Sequence, residues 1–138
     1  MVMTTTLWLR ISSVIALLFA VGHTLGGLKQ WSPMGENPVL QSMRSSRFDT
    51  MGVTRSYFDF YMGFGYALSV SMVMQAILLW LLATLARTEA ARLQPLIGVI
   101  ALATAAGSVV SWRFLFPIPA LFSLVLLASL AVAFVLAK

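Results

Sequence analysis

His23 and Asp59 are the two residues of this chain whose side chains are best suited to move a proton. His23 is the only histidine, and it lies near the end of an apolar stretch, where an ionisable side chain is costly and therefore a candidate for function. Because imidazole titrates near neutrality, we expect His23 to act as a general acid or base. Asp59 opens the next apolar stretch and would orient His23 or share its proton. The two residues are the predicted catalytic pair.

Each member of this pair also has a structural interpretation. A neutral His23 would bond a backbone carbonyl or a neighbouring helix, and Asp59 would be a first-turn acid favoured by the helix dipole. The chain has one histidine, no cysteine and four carboxylates, so neither a metal site nor a cofactor is predicted. The absence of cysteine excludes disulfides and redox dithiol chemistry.

Other polar and aromatic residues are expected near this pair. Seven of the thirteen charged residues lie between Lys29 and Asp59. In an antiparallel arrangement, the end of helix 1, the start of helix 2 and the turn between helices 3 and 4 meet at one membrane face. Arginines there would hold an anionic group. The predicted ligand-binding residues are Trp31, Arg47, Asp49, Arg55, Tyr61, Tyr66, Gln75 and Arg113.

The elements that must position these residues are four long uncharged stretches. They cover residues 11–28, 60–86, 93–112 and 114–137. The chain is 60% hydrophobic and 9% charged, whereas a soluble domain is usually about 25% charged. A helix needs about 20 apolar residues to cross a bilayer. We therefore predict an all-α membrane protein, a four-transmembrane-helix bundle.

The predicted boundaries describe a single membrane domain over residues 1–138. Its spans lie at about 6–27, 57–86, 93–112 and 117–137, and a short polar turn occupies 87–92. Gly26-Gly27 is expected to end the first span, since glycine tolerates the positive φ of helix C-caps.

Residues 28–56 are predicted to form a polar loop that contains a short interfacial amphipathic helix. That helix would cover residues 38–48, because Pro38 suits a first helical turn. Arg44 and Arg47 would then face the lipid headgroups.

Membrane lipids are the expected partners, and the bacterial inner membrane is the expected location. The net charge is +5, but no basic stripe is interleaved with aromatics, so nucleic acid is not a predicted partner. With four spans, four basic residues lie on the membrane side that holds both termini and five lie on the opposite side, so their number does not set the orientation. If the charges of residues 29–59 serve a site and are left out of the count, the excess of basic residues places both termini in the cytoplasm. Oligomeric state is not predicted. Residues 1–22 also match the pattern of a cleaved signal peptide, which would leave three spans.

Several segments resemble a group of small bacterial four-helix integral membrane proteins. The resemblance covers most of the chain and implies the fold, but it brings no known activity or catalytic residue. The layout is also similar to lipid-binding four-helix families of the sterol-isomerase and sigma-2-receptor kind, although their acidic motif is not matched here. Small multidrug exporters differ, since they carry a Glu within helix 1. The segments that carry the first resemblance are Gly22–Gly27, Trp31–Pro33, Met43-Arg44, Arg47–Asp49 and Asp59–Gly65.

The functional hypothesis is a membrane protein that binds or transforms a lipophilic small molecule at a polar mouth of the bundle. One alternative is a small proton-coupled transporter, in which His23 and Asp59 relay protons and Gln75 lines the pathway. Another is an accessory or structural subunit whose loop 28–59 docks a partner. The sequence does not decide among these classes.

Overall fold

The structure, a computed structural model, describes residues 2–138 and the side chains from Thr4 onward. Residue 1 of the predicted domain lies outside the described residues. Within them, the chain forms four α-helices and one two-stranded antiparallel sheet. The elements are α1 (Val2–Gly27), α2 (Pro38–Ser45), β1 (Arg47–Thr50), β2 (Val53–Ser56), α3 (Tyr57–Phe114) and α4 (Pro117–Leu136).

Three stretches of the described helices are long and apolar enough to cross a membrane: Thr4–Gly27, Tyr57–Phe114 and Pro117–Leu136. In their apolar windows, only 33%, 28% and 33% of the residues are buried inside the protein. The remaining apolar surface needs a covering that is itself apolar, because water would be an unfavourable neighbour for so much of it. Lipid meets that need, so the helices are consistent with the predicted membrane location.

The predicted second and third spans belong to one helix of 58 residues. Residues 87–92 were expected to form a short polar turn between two helices. All six are helical except Glu89, with φ −131° and ψ 33°, and two helical segments meet at a kink there. Gln75 of the first segment lies 3.5 Å from Thr104 of the second, so the chain reverses at this kink. Arg92 forms an ion pair with Glu89 at 3.3 Å, one helical turn away. Charged residues mark the position of the break, but they remain compatible with helical backbone.

Residues up to Phe19 and Met72–Lys138 form one compact unit, here called the helical unit. Ser12 Oγ and Ser129 Oγ lie 2.7 Å apart, and Ser13 Oγ donates to the carbonyl oxygen of Ala76 at 2.7 Å. Small side chains and inter-helix hydroxyl bonds are typical of helix packing in membranes. The buried apolar core draws on α1, both segments of α3, and α4, and includes Leu9, Ala16, Leu79, Leu82, Ile97, Leu126 and Leu130.

Ala20–Ser71 form the second compact unit, here called the polar unit. It contains the end of α1, then α2, the two strands and the start of α3. α2 begins where expected, because Pro38 occupies its first turn and Asn37 caps it. The Asn37 side-chain oxygen accepts hydrogen bonds from the backbone N–H groups of Val39 and Leu40 at 3.0 and 3.2 Å.

A β-hairpin at residues 47–56 was not predicted. Arg47 pairs with Ser56, and the register continues to Thr50 and Val53. The turn residues Met51 and Gly52 have φ of 48° and 81°, the left-handed values that two-residue hairpin turns require. The predicted helix at 38–48 is therefore too long. It ends at Ser45, because the backbone groups that follow pair across the hairpin instead.

α1 ends at Gly27 as predicted, but for a different reason. Gln30 N donates to Gly27 O and Trp31 N donates to Gly26 O, both at 2.9 Å. These are the two hydrogen bonds of a Schellman cap. The left-handed residues are Gln30 and Trp31, with φ of 56° and 46°, rather than a glycine. Such a conformation costs about 1–2 kcal/mol per non-glycine residue, so other contacts must hold it in place.

Candidate functional site

The Trp31 side chain occupies space that three glycines leave open. A Cβ built at Gly27 would lie 2.8 Å from Trp31 Cζ2, and one built at Gly26 would lie 3.1 Å from Cδ1. At Gly65, in α3, a Cβ would overlap the six-membered ring at Cζ3. We call these three glycines the indole pocket. Any larger residue in the pocket would have to displace the ring or the helix that carries it.

One hydrogen bond holds the indole ring of Trp31, and another holds its backbone carbonyl. Trp31 Nε1 donates to the carbonyl oxygen of His23 at 2.7 Å, and Tyr61 Oη donates to the carbonyl oxygen of Trp31 at 3.0 Å. The edge of Tyr66 meets the indole at a centroid distance of 5.2 Å. Trp31 therefore connects the end of α1 with the start of α3, and these contacts offset the cost of its left-handed backbone.

His23 belongs to the same cluster. Its ring stacks on Trp31 at a centroid distance of 5.2 Å, and Nε2 lies 3.1 Å from the carbonyl oxygen of Gly65. A carbonyl oxygen only accepts hydrogen bonds, so Nε2 must carry the proton in this contact. The contact matches the structural interpretation of His23, a ring bonded to a backbone carbonyl of a neighbouring helix. Its predicted role as a general acid or base stays a prediction.

Asp59 forms a capping box with Ser56 at the start of α3. Its Oδ2 accepts from Ser56 N at 2.7 Å, while its own backbone N–H donates to Ser56 Oγ at 3.1 Å. This reciprocal pair satisfies two backbone donors at a helix start. Among the described residues, no hydrogen bond joins Asp59 to His23. The geometry gives Asp59 a structural role, and its predicted catalytic role stays untested.

Three other predicted ligand-binding residues lie on the hairpin, and all are exposed. Asp49 Oδ1 accepts from Thr54 Oγ1 at 2.6 Å, across the strand pair. Arg55 Nη1 donates to the carbonyl oxygen of Thr54 at 3.0 Å. Arg47 stands opposite Ser56 in the register. Arg55 thus sits two residues before the helix that Asp59 caps.

The remaining two predicted site residues belong to the helical unit. Gln75 Nε2 lies 3.5 Å from Thr104 Oγ1, at the limit of a hydrogen bond. The Arg113 guanidinium lies 5.5 Å from the ring centroid of Phe114. Their predicted association with the residues of the polar unit stays a prediction.

Arg44 was predicted only to face lipid headgroups, and the structure gives it a different role. Its guanidinium donates to Gln30 Oε1 and to Glu36 Oε1, both at 2.6 Å, and its Cζ lies 4.3 Å from the ring centroid of Phe58. Arg44 therefore holds the side chain of left-handed Gln30 in place. The sequence carries no local signal for this contact, because its partners are eight and fourteen residues away.

A groove of about 350 Å³ runs along the first turns of α3. Arg55 and Asp59 line one end of it, and apolar or small residues continue along the helix. No atom lies within 4 Å of a Cβ built at Gly63, so the missing side chain leaves part of the groove open. The full lining is Arg55, Asp59, Phe60, Gly63, Phe64 and Ala67. A second cavity of about 370 Å³ is formed by the loop residues Lys29, Gln30, Ser32, Pro33, Gly35 and Glu36.

No protein family, curated protein or solved structure matches this chain. In the part of the chain that the structure describes, no group of three or more His, Asp or Glu side chains could hold a metal ion. The site must therefore be interpreted from its own residues. Its features are a rigid aromatic cluster around Trp31 and an open groove that is polar at one end.

The indole pocket predicts opposite effects for two neighbouring glycines. Gly65→Ala should lower the free energy of unfolding by roughly 1–3 kcal/mol, because the new methyl group overlaps the indole. Gly63→Ala is the matched control, and it should be neutral or stabilising by up to about 1 kcal/mol, since alanine is favoured in helices. Thermal unfolding of the purified variants in detergent measures both. Equal stability of the two variants would show that the indole does not occupy the pocket.

The capping box predicts a separate loss for each of its two hydrogen bonds. Asp59→Ala removes the acceptor of the Ser56 N–H, and Ser56→Ala removes the acceptor of the Asp59 N–H, so each should lower stability by about 0.5–2 kcal/mol, the usual cost of a lost helix cap. The double variant should lose more than either single one, because the two changes remove different hydrogen bonds. Asp59→Asn keeps an oxygen acceptor and should lose less than Asp59→Ala. Unchanged stability of both single variants in chemical unfolding would contradict the pairing.

Proposed function

We propose that this protein binds a lipophilic, amphiphilic small molecule in the groove at the start of α3. The observation that carries the proposal is the lining of that groove. Its volume of about 350 Å³ lies at the lower end of the range found for small-molecule sites. Such sites combine mostly apolar walls with a few polar groups, and this groove has that composition.

The two ends of the groove suit the two ends of an amphiphile. Arg55 and Asp59 supply one positive and one negative charge, and both side chains are exposed. Beyond them, Phe60 and Phe64 are 46% and 72% exposed, so their rings are available to an apolar chain. A headgroup with a phosphate would take the arginine, because guanidinium binds phosphate through paired hydrogen bonds. The apolar body would then follow the helix past Gly63.

Binding is proposed rather than turnover. His23 Nε2 is engaged with the carbonyl oxygen of Gly65, and the Asp59 carboxylate is engaged with the backbone of Ser56. The predicted pair is not assembled at the groove, because Asp59 lines the groove and His23 does not. The charged and apolar lining supports binding without a proton-transfer step.

Filling the groove should weaken binding without harming the fold. Gly63→Leu places a side chain in open space, so we expect affinity for an acyl-chain-labelled lysophosphatidylcholine to fall by about tenfold or more, a loss of at least about 1.4 kcal/mol. The measurement is a fluorescence titration of the full chain in nanodiscs.

Gly107→Leu is the matched control for this experiment. Gly107 is also an exposed glycine of α3 with nothing within 4 Å of a Cβ built on it, but it does not line the groove. Its substitution should leave affinity unchanged. Unchanged binding by Gly63→Leu, or no saturable binding by the unaltered protein, would refute the proposal.

We further propose that the chain crosses the membrane four times. Each of the two segments of α3 around Glu89 is longer than the roughly 20 residues that one crossing needs. With α1 and α4, they make four crossings. The bacterial inner membrane and cytoplasmic termini belong to the same proposal. They rest on the resemblance and on the arrangement of basic residues.

Single cysteines test the four crossings directly, because the chain has none of its own. Met51→Cys in the hairpin turn and Leu115→Cys between α3 and α4 should react with a membrane-impermeant maleimide from one side. Ala91→Cys near the kink should react only from the other side. All three positions are exposed. Labelling of Ala91→Cys from the same side as Met51→Cys would mean that the first segment of α3 does not cross.

A further inference from the structure

Two opposite charges stand at the same end of the groove without pairing with each other. Arg55 and Asp59 both line that end, and both side chains are exposed. Neither residue belongs to an ion pair among the described residues. Because no partner within the protein holds either charge, each can attract a group of opposite charge on a ligand.

Each of these side chains has one polar atom engaged and another without a protein partner. Arg55 Nη1 donates to the carbonyl oxygen of Thr54 at 3.0 Å, and no described residue accepts from its Nη2. Asp59 Oδ2 accepts from Ser56 N at 2.7 Å, and no described residue donates to its Oδ1. The engaged atoms hold the two side chains in position. Nη2 and Oδ1 can therefore bind a ligand while the helix cap stays intact.

The floor of the groove has the direction and the length of a lipid chain. Asp59, Gly63 and Ala67 recur every four residues, so they share one face of α3, and all three are exposed. Eight residues rise about 12 Å, close to the depth of one leaflet of a hydrocarbon core of about 30 Å. The candidate span begins at Tyr57, so the two charges lie at its start and the small residues lead away from them into it. A membrane phospholipid has its charges and its chain in the same order.

We propose that the groove binds a zwitterionic phospholipid, whose headgroup carries both a phosphate and an ammonium group; this inference rests on the proposed function. The phosphate accepts from Arg55 Nη2, and the ammonium group contacts Asp59 Oδ1 and the exposed ring of Phe60. One acyl chain lies along Gly63 and Ala67. An anionic headgroup without an ammonium group leaves Asp59 unpaired and is repelled by it, which makes the carboxylate the source of selectivity.

Competition among three lysophospholipids with the same acyl chain tests the headgroup. Each displaces the labelled lysophosphatidylcholine from the full chain in uncharged detergent micelles. We expect lysophosphatidylethanolamine and lysophosphatidylcholine to bind about fivefold more tightly than lysophosphatidylglycerol, a modest factor because exposed charge pairs are weak. Glycerophosphocholine, which has the headgroup but no acyl chain, should not compete at millimolar concentration.

Asp59→Asn removes the negative charge and keeps an oxygen acceptor for Ser56 N. We expect it to weaken both zwitterionic lipids by about fivefold and to leave lysophosphatidylglycerol unchanged or more tightly bound. Glu36→Gln is the matched control, because it removes another exposed carboxylate of the polar unit, changes the net charge equally and keeps an acceptor for Arg44. Glu36 does not line the groove, so this variant should keep the preference.

The possible outcomes separate this inference from the proposed function. Saturable binding that Gly63→Leu weakens, with lysophosphatidylglycerol bound as tightly as the other two, would overturn the headgroup assignment and leave the groove as a lipid site. Equal losses for all three lipids in Asp59→Asn would also overturn it, because Asp59 would then act only through the helix cap. Competition by glycerophosphocholine would indicate a site for a water-soluble compound instead. No saturable binding of any lipid would refute the proposed function and this inference with it.

Discussion

The side chain of Trp31 fills the volume that Gly26, Gly27 and Gly65 leave empty. Two of these glycines end α1, and the third lies in α3, so one indole ring sets how closely the two helix segments of the polar unit approach. The Trp31 Nε1 bond to the carbonyl of His23 then fixes the rotation of the ring. The left-handed backbone of Gln30 and Trp31 returns the indole to the glycines directly after the helix ends.

The polar unit combines this cluster with an open groove. Around Trp31, the indole N–H and one ring nitrogen of His23 bond backbone carbonyl oxygens, and the acid–base role of His23 stays a prediction. The groove starting at Arg55 is different, since its charges and phenylalanine rings are exposed. The proposed ligand site is therefore the groove. The aromatic cluster lies behind the groove, because Gly63 lines the groove and Gly65, two residues further on, contacts the indole.

The sequence predicts the helix boundaries that are set by hydrophobicity. It does not predict the hairpin, which is set by hydrogen bonds between two strands. The C-terminal end of α1 and the start of α3 follow from the boundary between apolar and charged residues, which is a local signal. α1 begins at Val2, earlier than the predicted residue 6. The hairpin at 47–56 was missed because its turn is Met51-Gly52 rather than the Asn-Gly or Asp-Gly that marks most such turns. The break at Glu89 lies inside the predicted polar turn at 87–92, but most of that segment is helical, since charged residues are compatible with helix as well as with turn.

In the candidate site too, contacts between residues close in sequence could be predicted, and contacts between distant residues could not. Asp59 and Ser56 have the spacing of a capping box, so that contact was available from the sequence. Gly26 and Gly27 were expected to end the first span through their backbone conformation, and Gly65 had no predicted role. Their common partner is Trp31, and only the three-dimensional structure shows it, because Gly65 is thirty-four residues from that ring. The role of Arg44 was hidden for the same reason.

The most direct test of this account is a proton–proton NOE spectrum of the protein in micelles, with tryptophan and glycine selectively labelled. The account predicts cross-peaks between the six-membered ring protons of Trp31 and the Hα protons of both Gly27 and Gly65. A resolved Trp31 spin system with cross-peaks to neither glycine would contradict it, and the indole would then lie elsewhere.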